Sequence, residues 1–237
     1  MNLEVHNISN PNINKNLEIN IDGVNYARIP IKTHILTGAD KLEIVSADYF
    51  KPHAIPGDIL FISEKAVACI QARAVPMAEI RPRRLARILC RFVHRSAYGI
   101  GLGIPETMEM ALRECGVFRI LLAAGVSIIG KIFRRRGWFY RVAGERARSI
   151  DGPTPYTLPP YNKYVVLGPK NPDNAAKIAA TAAGHPVAIV DINDLGGNIL
   201  GTSDPTIDRA LLVRILADNP LGQASEQTPF GIIRQIT

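Results

Sequence analysis

The segment Val187-Ala-Ile-Val-Asp-Ile-Asn-Asp-Leu-Gly-Gly-Asn198 places three oxygen-bearing side chains, Asp191, Asn193 and Asp194, directly after an apolar run. Val187 to Val190 has the length and β-rich composition of a buried strand, and the pattern predicts that Gly196-Gly197 ends it in a turn. Oxygen ligands at the carboxyl end of a strand, next to a backbone that can bend sharply, suit Mg²⁺ or Mn²⁺ held against phosphates. The same residue types also favour an Asx-capped turn with no ligand. Both readings stand on this segment alone.

Other residues add to the first reading. Asp151 follows Ile150 at a loop entry, as Asp191 follows Val190 and Asp194 follows Asn193, so Asp151, Asp191 and Asp194 are the candidate metal ligands. Lys65 stands two residues after Ser63 at the end of the run Ile59-Leu-Phe-Ile62, where an ammonium could hold a phosphate oxygen or a carboxylate as a point charge. Glu64 is either a neighbour of bound substrate or the partner of Lys65 in a surface ion pair. Arg134, Arg135 and Arg136 precede Trp138-Phe-Tyr140; interleaved basic and aromatic residues permit RNA binding, and equally a surface that grips an anionic substrate or nucleotide. Gly99-Ile-Gly-Leu-Gly103 lacks the Gly-Lys-Ser/Thr element of a phosphate loop and reads as a linker or a close helix contact. His94 and His185 have no partner at metal-ligand spacing and read as structural.

These residues sit in a chain of 237 residues, 47% hydrophobic and 21% charged, which describes a globular protein with a real core rather than a disordered one. No secretory signal is expected in the polar, Asn-rich start. The longest apolar stretch, Ile120 to Ile132, falls short of the ~20 residues that span a bilayer. Cys69, Cys90 and Cys115 have no metal-ligand spacing and read as small buried residues of a reducing, cytoplasmic setting. Charge is uneven. Residues 1–70 carry 6 basic and 8 acidic side chains (net −2), residues 71–150 carry 16 and 5 (net +11), and residues 151–237 carry 6 and 8 (net −2). A field so concentrated attracts a polyanion, an acidic nucleotide or an anionic membrane surface.

The elements that must position these groups follow from periodicity. Strands are predicted at 17–21, 28–32, 59–62, 164–167, 187–190 and 230–233, with the 59–62 run buried on both faces after the Pro56-Gly57-Asp58 turn. Helices are predicted near 40–45, over 82–95 with Leu85, Ile88, Leu89, Phe92 and Val93 as its inner face, over 105–114, 117–133 and 174–183 (capped by Asp173), and near 205–216. Strand, helix and strand between 164 and 190 suggest a βαβ-like unit. The fold class is therefore α/β (mixed α+β).

Five pieces in order resemble the coenzyme F-420 γ-glutamyl ligase family: Pro30-Ile-Lys-Thr-His-Ile35, Pro56-Gly-Asp-Ile-Leu-Phe-Ile-Ser-Glu-Lys65, Ser149-Ile-Asp-Gly152, Asp191-Ile-Asn193, and Asn219-Pro-Leu-Gly-Gln-Ala-Ser-Glu-Gln-Thr-Pro-Phe-Gly-Ile-Ile-Arg234. The resemblance covers 26–75 and 149–237. It implies a fold with mixed sheets and two interleaved lobes, and a homodimer; the Asn-rich start reads as an N-terminal extension at 1–25, before a ligase domain at 26–237 in which the basic helical segment at about 76–148 is an insert outside the resemblance. The activity it implies is a metal- and nucleotide-dependent amide ligase, using GTP or ATP, that adds an amino acid to an anionic small molecule. On this reading Lys65 and Asp191 would be catalytic, Asp151 and Asp191 would hold Mg²⁺ or Mn²⁺ with Asp194 as a third candidate, Ser63, Glu64, Asn193 and Gln223 would contact nucleotide or substrate, and Arg134–Arg136, outside the resemblance, would grip the same anion by their charge. The chain departs from the family where a Gly-Arg pair and a second Arg follow the Asp-Thr-Asn element, and where Gln223 stands at an acidic position of the tail. Those departures leave a second expectation: a non-catalytic scaffold of the same fold that binds RNA or another polyanion through its basic middle segment.

Overall fold

The computed structural model describes residues 11–93, 100–133, 137–155, 157–193, 196–222 and 225–236. The chain divides into two compact units, unit 1 from Met1–Ala72 and Pro169–Thr237 and unit 2 from Arg73–Gly168. The first segment of unit 1 holds β1 (Glu18–Ile21), β2 (Val24–Ile31), α1 (Leu42–Phe50), β3 (Ile59–Ser63) and α2 (Glu64–Ile70). Unit 2 holds β4 (Ala74–Pro76), α3 (Arg84–Leu89), α4 (Pro105–Cys115), α5 (Val117–Ile132), α6 (Trp138–Ala143), α7 (Glu145–Arg148) and β5 (Tyr164–Val166). The chain then returns to unit 1 with α8 (Pro172–Ala183), β6 (Val187–Asn193), β7 (Gly196–Thr202), α9 (Arg209–Ile215) and β8 (Phe230–Ile236). The protein is mixed α+β, as the periodicities require. The basic segment at 76–148 falls inside unit 2, and the expected boundary at residue 25 falls inside β2.

Unit 1 is built on a six-stranded mixed sheet in the order β1-β2-β8-β3-β6-β7. β1 and β2 form a hairpin through Asp22-Gly23, both at positive φ, as a two-residue primed turn demands. β8 runs antiparallel to both β2 and β3, and β3 runs parallel to β6 in the register Leu60↔Val187 to Ser63↔Val190. Because side chains alternate along a strand, Leu60, Ile62, Val187, Ile189, Phe230 and Ile232 face one side. There they pack on Leu42, Val45 and Phe50 of α1, Val67 of α2 and the small residues Ala175, Ala176 and Ala179 of α8. Phe61, Ala188, Val190 and Ile233 face the other side and meet Leu212 and Ile215 of α9. Both faces are covered, which accounts for the unbroken apolar run at 59–62.

Two arginines tie loops to this sheet. Arg234 of β8 makes a bidentate pair with buried Asp58 (2.9 and 2.8 Å) and donates to the His53 carbonyl at 2.9 Å. Buried Arg28 of β2 donates to Asp218 and to the carbonyls of Asn16 and Ile215.

Unit 2 packs α3 to α7 and the two-stranded β4–β5 sheet around Leu102, Met108, Leu112, Ile120 and Ile150. Buried Glu109 of α4 accepts from Arg83 Nε at 3.0 Å, Arg83 N at 3.1 Å and Arg113 Nε at 2.8 Å. Burial pulls this carboxyl upward, but the hydrogen bonds from Arg83 and Arg113 outweigh it and hold the group below the usual range.

Several sequence expectations are corrected. β6 does not end at Val190: it runs to Asn193 and pairs with β7, Asp191 opposite Asn198 and Asn193 opposite Gly196. Gly196-Gly197 therefore opens a strand instead of closing one. A Cβ on Gly197 would lie 2.0 Å from Ile192 Cδ1, so close cross-strand approach is what the glycine permits. The 164–190 stretch is not a βαβ unit, because β5 pairs with β4 while β6 pairs with β3. Of the helix expected over 82–95, the described residues up to Val93 form α3 followed by one 3₁₀ turn at Cys90–Phe92; Ala86 and Cys90 point inward while Ile88 and Phe92 are exposed. Asp173 is not the cap of α8, whose N-cap is Asn171. Its carboxylate accepts instead from Thr202 N at 2.9 Å and Arg209 at 3.0 Å.

Gly231 tests the packing of the sheet. A Cβ there would lie 2.3 Å from Cζ of the fully buried Phe61. Gly231→Ala should therefore cost about 1–3 kcal/mol in urea denaturation, as overpacking of a core does. An unchanged midpoint would contradict the packing described.

Candidate functional site

In unit 1 the strands β2, β3 and β6 run in one direction and β8 and β7 in the other. The carboxyl ends of β2, β3 and β6 thus share an edge with the starts of β8 and β7. That edge carries Thr33-His34 after β2, Ser63-Glu64-Lys65 after β3, Asp191 and Asn193 at the end of β6, and Gln227-Thr228-Pro229 before β8. Four of the five family-like motifs converge here through main-chain pairing. Ligands of open α/β sheets are held at such carboxyl ends.

Local structure fixes each group. Ser63 ends β3, donates its N–H to the Pro229 carbonyl at 2.8 Å and caps α2 by accepting Ala66 N–H at 3.4 Å. Its hydroxyl is thereby committed to the helix start. Glu64 and Lys65 follow in the first turn, both half-buried, and Glu64 Oε1 is shielded from solvent. Asp191 and Asn193 stand two residues apart and so share a face of β6, the one that continues from Val187 and Ile189. Both are half-buried. Thr33 and Gln227 bond reciprocally: Thr33 N–H donates to the Gln227 carbonyl at 3.1 Å, and Gln227 Nε2 donates to the Thr33 carbonyl at 2.6 Å. Thr228 donates to the Leu221 carbonyl at 2.8 Å, which ties the approach to β8 back to Leu221.

A titratable array that sequence reasoning did not single out lies at the same edge. His34 Nε2 is 2.9 Å from Asp40 Oδ1, and His34 Nδ1 is 2.7 Å from the Tyr49 hydroxyl, which also accepts the His34 N–H at 3.0 Å. Asp40 accepts in addition from Thr37 N at 2.7 Å. Tyr49 packs edge-on against Phe230 at 6.0 Å, so the array leans on the first residue of β8. The signal in sequence is faint: an Asp six residues after a His, across a Thr-Gly turn, with the tyrosine on the next helix.

The remaining expected residues fall elsewhere. Asp151 belongs to unit 2, where it is exposed and forms an isolated two-hydrogen-bond bridge to Val166 (2.8 and 3.0 Å). Asp194, Gln223, Arg134, Arg135, Arg136 and His94 lie outside the described residues. Cys69 and Cys90 are buried and Cys115 half-buried, and burial pushes the Cys115 thiol up.

Asp191 and Asn193 supply hard oxygen donors of the kind Mg²⁺ or Mn²⁺ accepts, and such ions keep several waters and take phosphate oxygens as further ligands. Among the described residues no group of three or more His, Cys, Asp or Glu side chains is assembled.

No protein-family model matches the chain, and no curated protein matches it significantly. The geometry of the edge thus carries the functional reading.

The His34 array has a pH signature. Burial alone would raise the Asp40 carboxyl, but hydrogen bonds from Thr37 and His34 hold it below its ordinary value. A folded pKa below the unfolded one contributes stability that is complete above about pH 4 and is lost as pH falls through the folded value. Asp40→Asn should cost about 1 kcal/mol at neutral pH, with the gap to the parent closing under acid. A gap independent of pH would refute the array as described.

Proposed function

We propose that this protein is a metal- and nucleotide-dependent amide ligase of the γ-glutamyl ligase type, which joins an amino acid to a carboxylate on an anionic small molecule. The observation that carries the reading is the shared edge in unit 1, where Ser63-Glu64-Lys65 and Asp191 with Asn193 end neighbouring parallel strands. In such a ligase the carboxylate is first phosphorylated and the amine then displaces phosphate, so the protein's task is positioning and charge neutralisation. Asp191 would hold Mg²⁺ or Mn²⁺ with Asn193 beside it, and the ion would neutralise charge on the phosphates of GTP or ATP. Lys65 would hold a phosphate or substrate carboxylate oxygen as a point charge. Ser63 would fix the start of α2 so that Glu64 and Lys65 keep their places. Asp194 and Gln223 would add to this site the roles expected of them from the sequence. A cytoplasmic homodimer completes the reading.

The charge distribution favours one competing function. Unit 2 carries 17 basic and 6 acidic residues (net +11), whereas unit 1 carries 11 and 15 (net −4). A scaffold that binds RNA or another polyanion through unit 2 would use that field. The departures after Asn193 and at Gln223 fit it too.

Release of phosphate from GTP or ATP, dependent on Mg²⁺ or Mn²⁺, tests the ligase reading. Nucleotide with metal should also raise the melting temperature; one ion at a hundred times its dissociation constant adds about 2.7 kcal/mol. Asp191→Asn should abolish both effects. A metal-dependent shift that survives the substitution would remove Asp191 from the site. Submicromolar RNA binding without nucleotide turnover, with log affinity falling by about 0.7 per neutralised phosphate against log salt, would establish the scaffold instead.

A further inference from the structure

Helix α5 turns an apolar face to water. Phe118 (81% exposed), Leu121, Leu122, Ile128 and Ile129, with Phe133 (68%) directly after the helix, are all exposed, while Ile120, Ala123 and Gly130 pack inward. On a helix that turns about 100° and rises 1.5 Å per residue, the exposed set falls within an arc of about 140° along roughly 22 Å. Large apolar residues scattered singly over a surface need no account, but six gathered on one helical face mark a binding surface.

Charge decides what that surface binds. Between Glu114 and Glu145 the sequence holds six basic residues, Arg119, Lys131, Arg134, Arg135, Arg136 and Arg141, and no acidic one. A second copy would bring one +11 unit against another, so self-association through this face works against its own field. RNA would satisfy the charge but offers no apolar phase to receive leucine and isoleucine. The headgroup boundary of an anionic bilayer satisfies both. Amphipathic helices with Phe and Leu on one face and basic residues around them lie in that boundary, bound by apolar burial together with attraction to acidic lipid. Among the described residues no helix is long and apolar enough to cross a membrane, so α5 would lie along the surface.

We propose that α5 is an interfacial helix by which the protein docks on membranes containing anionic lipid. Phe118, Leu121, Leu122, Ile128, Ile129 and Phe133 enter the boundary between headgroups and acyl chains. Each basic side chain held near the surface strengthens binding about fivefold and is weakened by salt. This inference does not depend on the ligase reading.

The test is co-sedimentation of the full chain with large vesicles. Vesicles of equal parts phosphatidylcholine and phosphatidylserine should bind it at low salt, and vesicles of phosphatidylcholine alone should bind it far less. Replacing two exposed residues, Leu122→Ser with Ile129→Ser, should leave the melting temperature unchanged and lower partitioning at least about tenfold. Three results would overturn the proposal: no binding to the anionic vesicles, equal binding by the double variant, or a dimer that the double variant dissociates. Each is separable from failure of the ligase reading, because phosphate release is measured without vesicles and should be untouched by the double substitution.

Discussion

The last strand of the chain holds unit 1 together. β8 is inserted between β2 and β3, so among the described residues its two antiparallel ladders join the N-terminal hairpin to the β3-β6-β7 half of the sheet. Its first residue, Phe230, stacks on Phe50 of α1 at 5.0 Å and makes a T-shaped contact with Tyr49, while Gly231 leaves room for the Cζ end of Phe61. Arg234 then fixes the Asp58 turn that launches β3. Residues from the two ends of unit 1's sequence thus meet in one core. The loop before β8 is held by Gln227 and Thr228, and so reaches the carboxyl ends of β2 and β3.

The same constraint sets the chemistry available at that edge. β3 and β6 are buried on both faces up to Ile62 and Val190, and the first polar residues appear only where the apolar layers stop. Ser63 ends one strand a step beyond the core, Glu64 and Lys65 follow in the first turn of α2, and Asp191 and Asn193 lie on the parallel neighbour. Half-burial matters here, since charges partly removed from water act more strongly on a phosphate than exposed ones do. Asp191 and Asn193 sit in a paired strand rather than a free turn, which orders their backbone before any ligand arrives and lowers the entropy lost on binding.

Much of unit 1 was legible because its strands are short, apolar and bounded by turn residues. The doubly buried β3, the edge strand β1 and the Ala-rich α8 each follow from pattern alone. The pairing of strands was not legible, because periodicity reports which face is buried and not which strand lies alongside. That is why β5 suggested a βαβ unit with β6 although its partner is β4. β7 was missed because Gly196-Gly197 reads as a turn; its glycines serve close contact with Ile192. In unit 2, α3 carried a convincing apolar stripe whose Ile88 and Phe92 nevertheless face water, since the short helix packs through Ala86 and Cys90. At the site, Ser63, Lys65 and Asp191 were visible as polar residues ending apolar runs. The His34–Asp40–Tyr49 array was not, because its geometry depends on Tyr49 leaning against Phe230, far away in sequence.

In the proposed function, the carboxyl-end edge of unit 1 receives metal-bound nucleotide. Paramagnetic broadening of backbone amide resonances by Mn²⁺ in the presence of GTP or ATP examines it directly, since the effect falls steeply with distance from the ion. Broadening should centre on Asp191 and Asn193 and extend to Ser63-Glu64-Lys65, with amides of α9 and the β1–β2 turn unaffected. Broadening centred elsewhere, or none at saturating nucleotide, would contradict it.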